Sequence, residues 1–201
     1  MPRPWAALFV LLLGCSPKPV DIFHEPHHHF VYKSDKITAW NVMVPPRTAT
    51  LMHEHDMDYL FVTLGPAVVT SLPLKGAPTQ LVLRDGEVRF AKAPLIHVAD
   101  NYSNEPFHNV TIELAHPATN VTPCDSPCVL TSDQWTVTRM TLAPGERYDT
   151  KFAIIVPLVA VELGRRPNQP LHLVPGQVND TSVPVTNSGP ADARFITVEF
   201  K

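Results

Sequence analysis

The chain has 201 residues, 44% of them hydrophobic and 17% charged, which is enough to bury the core of one domain or of two small, similar halves. Its formal net charge of −3 comes without a basic stripe, which excludes a nucleic-acid-binding surface. The 22 prolines and only 8 glycines favour many short strands joined by stiff turns over long helices.

Residues 1–15 are typical of a signal peptide, with Arg3 as the positive start and an apolar run over residues 5–13. That run is shorter than the roughly 20 apolar residues of a membrane-spanning helix. The Leu-Leu-Gly sequence ahead of Cys15 resembles a bacterial lipobox. We therefore predict export to the periplasm or cell surface as a lipoprotein anchored on Cys15, or plain cleavage near Cys15 and secretion. Residues 16–30 are predicted to form a tether.

Short apolar, β-branched runs separated by turn residues then indicate an all-β sandwich or barrel. The first half, residues 31–116, has predicted strands at 37–44, 59–64, 67–72, 80–83, 87–90 and 110–114. The second half, residues 134–201, has predicted strands at 135–142, 153–163, 170–174 and 195–200.

A proline- and threonine-rich linker, residues 117–133, joins the halves and contains Cys124 and Cys128. In an oxidising compartment these two cysteines are expected to form a small loop-closing disulfide. A redox-active pair or a two-thiolate metal site is the alternative, although redox pairs usually have C-x-x-C spacing.

The two halves resemble each other. Each contains an asparagine followed twelve residues later by a glutamate: Asn101 and Glu113, then Asn187 and Glu199. In the same alignment Lys151 and Val183 stand where the first half has His53 and His97. The second half is therefore predicted to be a copy of the first without its histidines.

The candidate site consists of His53, His55 and His97. Two histidines one residue apart on a strand point to the same face, and a third from another strand can meet them there. Three neutral imidazoles suit one divalent transition metal, with Fe, Mn, Zn, Cu and Ni all candidates, and leave coordination positions open for a substrate.

These residues resemble the two motifs of the cupin superfamily, G-x5-H-x-H-x(3,4)-E-x6-G and G-x5-P-x-G-x2-H-x3-N. The matching positions of the first motif are Arg47, His53, His55, Asp58 and Gly65. Those of the second motif, with every spacing kept, are Gly86, Lys92, Pro94, His97 and Asn101. The first motif departs from the pattern, because arginine replaces the opening glycine and Asp58 stands one residue closer to His55 than the usual glutamate.

The resemblance implies a double-stranded β-helix barrel, with two cupin-like halves (a bicupin) of which only the first is metal-competent. It implies His53, His55 and His97 as metal ligands and Asp58 as a fourth. Strand alternation instead places Tyr59 on the metal face and Asp58 on the opposite one, unless a bulge intervenes. Asp58 is thus a ligand or a solvated turn acid, and Tyr59 is an acid–base group or an ordinary barrel aromatic.

Two further groups of histidines have alternative interpretations. The run His27-His28-His29 is interpreted as part of a solvated N-terminal segment, with metal collection as the alternative. His108 lies near the start of a predicted strand, where it either lines the barrel or lies on the surface.

Two functions remain open. The first is a metal-dependent oxygenase, isomerase or lyase acting on a small chelating sugar, phenol or organic acid, with Tyr59 or Asp58 moving protons. The second is a non-catalytic module that uses the same metal to bind a sugar or sugar acid. A purely structural metal is disfavoured because three histidines leave the ion open. No contact with nucleic acid is expected, and contact with membrane only through a lipid on Cys15.

Overall fold

The computed structural model describes residues 18–166 and 169–201, and this part of the chain is all-β. The predicted signal peptide and the lipidation site at Cys15 lie outside the described residues. Helical structure within the described ranges is limited to one 3-10 turn, Ile22–His24. No described helix has the length and apolar character that crossing a bilayer requires.

The strands fall into two sets. Those of the first half are β1 (Val20–Asp21), β2 (His28–Lys33), β3 (Ile37–Val44), β4 (Thr48–Ala49), β5 (His53–His55), β6 (Tyr59–Thr63), β7 (Ala67–Pro73), β8 (Thr79–Leu83), β9 (Val88–Ala91), β10 (Leu95–Asn101) and β11 (Phe107–Leu114). Those of the second half are β12 (Thr122–Pro123), β13 (Cys128–Thr131), β14 (Trp135–Leu142), β15 (Arg147–Tyr148), β16 (Ala153–Pro157), β17 (Val161–Arg166), β18 (Gln169–Leu173), β19 (Asn179–Thr181), β20 (Val185–Asn187) and β21 (Ala193–Phe200).

Each half contains two open sheets. In the first half the site sheet has the order β1-β5-β10-β7-β8, with β4 also on β10, and the core sheet has the order β2-β3-β11-β6-β9. In the second half the core sheet has the order β12-β13-β14-β21-β16-β19 and the outer sheet has the order β15-β20-β17-β18. None of these four sheets closes on itself over the described residues.

The two core sheets pack face to face and bury the largest apolar cluster between the halves. Leu60 and Ile112 of the first half and Ile154 and Val198 of the second are fully buried there. Side chains alternate between the two faces of a strand, so the other face of each core sheet lines the interior of its own half. The layers therefore run from the site sheet through the two core sheets to the outer sheet.

Strand pairing repeats between the halves. In the first half Glu113 of β11 lies opposite Tyr59, and in the second half Glu199 of β21 lies opposite Ala153. The side-chain amide of Asn101 donates to the carbonyl groups of Val44 and Glu105. The side-chain amide of Asn187 likewise donates to those of Leu142 and Ala191. The asparagine and glutamate repeat seen in the sequence thus marks equivalent structural positions.

Two glycines make matching contacts between the halves. Gly86 and Gly176, both with positive φ, each pack against a side chain on the other half's core sheet. The neighbour of Gly86 is Arg139 on β14, and that of Gly176 is Asn41 on β3. A Cβ at either glycine would lie within 3.0 Å of those side chains. Glycine thus satisfies both the turn conformation and the close approach.

The second half has no counterpart of β5. Ala49 pairs with the residue before Asn101, and Arg147 pairs with the residue before Asn187, so these two positions are equivalent. Tyr59 and Ala153 are equivalent because each lies opposite the repeated glutamate. Between them the first half has residues 50–58, which contain β5, whereas the second half has only residues 148–152, all of which are described. The alignment of Lys151 with His53 therefore does not hold in three dimensions, because the strand that carries the histidines is missing.

Two segments expected to be connectors contribute to the sheets. Residues 20–30 of the predicted tether include β1, which pairs with β5, and the beginning of β2, which pairs with β3. The linker supplies β12 and β13 to the second core sheet. The predicted disulfide between Cys124 and Cys128 is confirmed, and it closes the loop between these two strands.

The equivalence of the two asparagines predicts similar losses of stability. Replacing Asn101 or Asn187 with alanine removes two or three hydrogen bonds to backbone carbonyl groups, one of them buried in each case, and we expect each variant to lose about 2–3 kcal/mol of unfolding free energy in urea titrations. The exposed Asn104→Ala should change it by less than about 0.5 kcal/mol. A neutral Asn187→Ala beside a destabilising Asn101→Ala would contradict the equivalence.

Candidate metal centre

The pairing of β5 with β10 brings the three predicted histidines together. His53 and His55 occupy alternate positions of β5, and His97 lies directly opposite His53 in the antiparallel register. Ring centroids are 5.0 Å apart for His53 and His55, 4.7 Å for His53 and His97, and 5.5 Å for His55 and His97. All three side chains are buried.

A fourth histidine, His28 of β2, joins this group. Its ring centroid lies 4.7 Å from that of His53 and 5.9 Å from that of His55. One ligand nitrogen from each of His28, His53 and His55 lies within 4.8 Å of the others, a set that could hold a metal ion and that does not include His97. The interpretation of this segment as solvated is wrong for His28, which is buried, whereas His29 is exposed.

Each of the four rings is held from outside the cluster through its Nδ1 atom. The partners are Glu25 Oε2 for His28 at 2.6 Å, Leu51 O for His53 at 2.8 Å, Glu113 Oε1 for His55 at 3.2 Å and Ser71 Oγ for His97 at 2.9 Å. A backbone carbonyl and carboxylates accept hydrogen bonds, so the Nδ1–H groups facing them donate. The Nε2 lone pairs of His28, His53 and His55 are then free to bind a metal, whereas the serine hydroxyl that faces His97 can either donate or accept.

The spacing of the free nitrogens fits one ion. The Nε2 atoms of His53 and His55 are 3.2 Å apart. Because both Nδ1 atoms carry the hydrogen, these two lone pairs face each other without a proton between them. Imidazole nitrogens bound to one ion at about 2.0–2.1 Å, with angles of about 90–109°, lie about 2.8–3.4 Å apart. A cation therefore fits between the two nitrogens.

Asp58 is not part of the cluster. Its carboxylate accepts hydrogen bonds from the backbone N–H groups of Ala93, at 2.8 Å, and Ala118, at 3.2 Å. Because the next residue, Tyr59, faces the histidines, alternation directs Asp58 towards the core between the halves. Asp58 is also buried rather than solvated, so it is a structural acid that joins two segments of backbone.

Tyr59 lies beside the histidines, as alternation from His55 predicts. Its ring stacks on that of His55 with centroids 4.2 Å apart and planes 26° apart. His108 lies elsewhere, because its Nε2 pairs with Asn41 Oδ1 at 2.7 Å. Asn101 of the second motif binds backbone carbonyls and serves the turn.

A cavity of about 290 Å³ opens onto the cluster. Apart from the four histidines its walls are mainly apolar, with Val42, Phe61, Val69, Leu81, Leu95 and Phe107 among the lining residues. Thr111 donates a hydrogen bond to Asn109 Oδ1 at 2.9 Å, and Arg89 pairs with Glu87. The other polar side chains of the lining are Tyr59, Ser71 and Thr79. The site therefore combines an apolar chamber with one group of nitrogen ligands.

Comparison with solved structures decides the fold family. AerE from Microcystis aeruginosa superposes with a TM-score of 0.67 at 15% identity, over 92% of this chain and 97% of that one. A cupin 2 conserved barrel domain protein from Leptotrichia buccalis superposes with a TM-score of 0.55 at 9% identity, over 87% of this chain and 88% of that one. The chain has a cupin fold.

An oxalate decarboxylase from Lactobacillus farciminis is a further structural neighbour, with a TM-score of 0.58 at 10% identity, over 84% of this chain and 77% of that one. No protein-family model and no curated protein matches the sequence. At these identities the likeness is one of fold, and the resemblance to the cupin superfamily is confirmed at that level.

Burial in the cupin interior keeps the imidazoles neutral. It lowers the pKa of His53 and of His55 to about 3, with the neighbouring His28 as the next cause. It lowers the pKa of His97 to about 2, helped by His53. A neutral imidazole is the form that binds a metal, so the surroundings favour the ligand state.

The two carboxylates that hold the rings are themselves buried. Burial raises the pKa of Glu113, although the hydrogen bond that its Oε2 accepts from Trp40 Nε1 acts in the opposite direction. Burial also raises the pKa of Glu25, but hydrogen bonds from His28 and two backbone amides outweigh it, and the net shift is downward. Sequence reasoning missed Glu25 and assigned Glu113 only a place in the repeat.

The lowered histidine pKa values predict loss of stability in acid. The unfolded chain binds more protons than the folded one between about pH 6.5 and the folded pKa near 3, so stability is complete above this window and is lost as pH falls through it. In chelator-treated protein each such histidine contributes at most about 1.4 kcal/mol per pH unit. We expect His97→Gln to reduce the slope by about one proton in urea titrations, and the exposed His116→Gln to leave it unchanged. Equal slopes in wild type and His97→Gln would contradict this.

Proposed function

We propose that this cupin binds one divalent transition metal through His53, His55 and His97 and acts on a small molecule in the adjoining cavity. The observation that carries the proposal is the convergence of buried rings whose Nδ1 atoms are all engaged outside the cluster. The Nε2 atoms of His53 and His55 lie 3.2 Å apart, and the ring of His97 lies beside both, an arrangement that suits metal ligands whose outer nitrogens are held by the protein.

A metal held by imidazoles with open positions polarises a substrate oxygen or activates dioxygen. The chain itself supplies the walls, the orientation and a proton donor. Burial raises the pKa of Tyr59, so its hydroxyl group stays protonated at neutral pH and can donate to a developing charge. Asp58 has no part in this, since both of its oxygens bind backbone amides.

The cavity supports a phenol or an apolar organic acid over a sugar. A sugar has hydroxyl groups on every side, and walls such as Val69, Leu81 and Phe107 offer them no hydrogen bonds. A flat, single-ring molecule with one chelating end buries its apolar part against these side chains and directs its oxygens to the histidines. The structural neighbour named as an oxalate decarboxylase acts on a small acid, and its likeness supports only the capacity of the fold for such chemistry.

We also propose that the molecule is a bicupin in which only the first half holds the metal. The repeated sheet orders and the equivalent roles of Asn101 and Asn187 support two cupin-like halves. The absence of a β5 counterpart in residues 148–152 supports a non-binding second half. Its role is then to cover the apolar face of the first core sheet.

Export, as a lipoprotein on Cys15 or as a secreted protein, remains part of the proposal. Its support from the described residues is the disulfide between Cys124 and Cys128, since such bonds persist in oxidising compartments.

Metal content tests the proposed centre directly. We expect purified wild-type protein to contain about one transition-metal ion per chain by elemental analysis, and His53→Ala and His97→Ala to lose most of it because each removes a ligand. The exposed His116→Ala is the matched control and should keep the ion. Unchanged metal content in both cluster variants would refute the assignment.

Turnover separates an enzyme from a binding module. We expect the metal-loaded protein to consume at least one compound from a panel of phenols, organic acids and sugars, as measured by product formation and oxygen uptake. Loss of the proton donor in Tyr59→Phe should lower the rate by about 100-fold or more at unchanged metal content. The exposed Tyr102→Phe is the control. Tight binding of a panel compound without consumption would leave a non-catalytic sugar or acid-binding module as the function.

A further inference from the structure

We propose that His28 is a fourth ligand of the metal centre and that Glu25 is the residue that positions it, an inference that rests on the proposed function. Both residues lie outside the cupin motifs of this chain, in the segment that the sequence predicts as a tether. The site so formed takes its fourth ligand from an N-terminal strand instead of from the acidic position of the first motif.

The first support is the placement of His28. It is the buried member of three consecutive histidines, and its ligand nitrogen lies within 4.8 Å of those of His53 and His55. His29 is exposed, as alternation along β2 requires. Glu25 accepts a hydrogen bond from Nδ1 of this ring, which leaves Nε2 as the nitrogen that can bind an ion.

The second support is the set of contacts made by Glu25, which is 1% exposed. Its Oε2 accepts from His28 Nδ1 at 2.6 Å and from His27 N at 2.8 Å, and its Oε1 accepts from Leu51 N at 3.1 Å. The carbonyl of Leu51 accepts from His53 Nδ1. Glu25 thus fixes the orientation of His28 and ties it to the backbone that orients His53, which is the role of an outer carboxylate on a metal-binding histidine.

The third support is that Asp58, the acid of the first motif, does not reach the cluster. Because its carboxylate is used by Ala93 and Ala118, the motif supplies no acidic ligand to the cluster. His28 approaches the same nitrogens from the core sheet and supplies a fourth donor. Four neutral imidazoles do not reduce the charge of a divalent ion. The buried carboxylates of Glu25 and Glu113, which contact the rings of His28 and His55, offset that charge. A nitrogen-only set of this kind favours Cu, Ni or Zn over Mn.

Metal binding would then hold the N-terminal segment in place. The segment is attached to the site sheet by the short pairing of β1 with β5 and by Glu25. A bond from the ion to His28 adds a link between β2 of the core sheet and β5 of the site sheet. The backbone amides of Glu25 and of residues 27–30 should therefore exchange more slowly with solvent deuterium when the ion is bound.

The test compares His28→Ala and Glu25→Gln with the matched control His29→Ala, each first freed of metal and then titrated with Co²⁺ against a competing chelator. We expect His29→Ala to bind like wild type, Glu25→Gln to bind about 10-fold more weakly, and His28→Ala to bind more weakly still. On wild-type protein loaded with Cu²⁺, pulsed electron paramagnetic resonance should count four imidazoles. This second measurement needs no variant, so it stands even if His28→Ala fails to fold.

The possible outcomes separate this inference from the proposed function. Three imidazoles in wild type, or equal Co²⁺ affinity of a folded His28→Ala and His29→Ala, would overturn the role of His28 and leave the three-histidine centre intact. Failure of wild-type protein to bind Co²⁺ or Cu²⁺ would overturn both. Four imidazoles, weaker binding by His28→Ala and metal-dependent protection of residues 25–30 would establish the four-histidine site.

Discussion

The antiparallel register between β5 and β10 is the constraint on which the site depends. Residues directly opposite in an antiparallel ladder present their side chains to the same face, so His97 meets His53 only in this register. A shift of one residue would turn His97 away from the cavity. Because β5 has three residues, its position is fixed by its neighbours β1 and β10 on either side. The N-terminal segment is therefore part of the site and not an appendage to it.

Burial of four imidazoles requires that each have a polar partner, since an unpaired polar group in an apolar interior costs free energy. The partners come from four separate parts of the chain: Glu25, Leu51, Ser71 and Glu113. One of these contacts, from Glu113 on the core sheet to His55 on the site sheet, joins the two sheets across the cavity. The contacts with Glu25, Leu51 and Glu113 also select one tautomer for His28, His53 and His55 and leave Nε2 of each ring free, so the requirement of the fold and the requirement of a metal coincide there.

The second half shows what this fold becomes without the histidine strand. Its core sheet and outer sheet keep the pairing of the first half, and Asn187 keeps the role of Asn101. Its interior is filled by an apolar cluster that includes Leu163 and Phe195. Shortening one loop by a few residues removes β5, and the rest of the framework persists because its pairing does not depend on that strand.

The local features of this protein follow from its sequence alone. Strands 37–44 and 135–142 were predicted with their observed bounds, and alternation placed His53, His55 and Tyr59 on one face, because these properties depend on neighbours in the chain. Contacts across the fold, by contrast, place His28 beside His53 and His55 and leave Asp58 outside the cluster. Those outcomes depend on which strands lie across the cavity and which backbone amides need an acceptor. Such contacts join residues far apart in sequence, where periodicity carries no information.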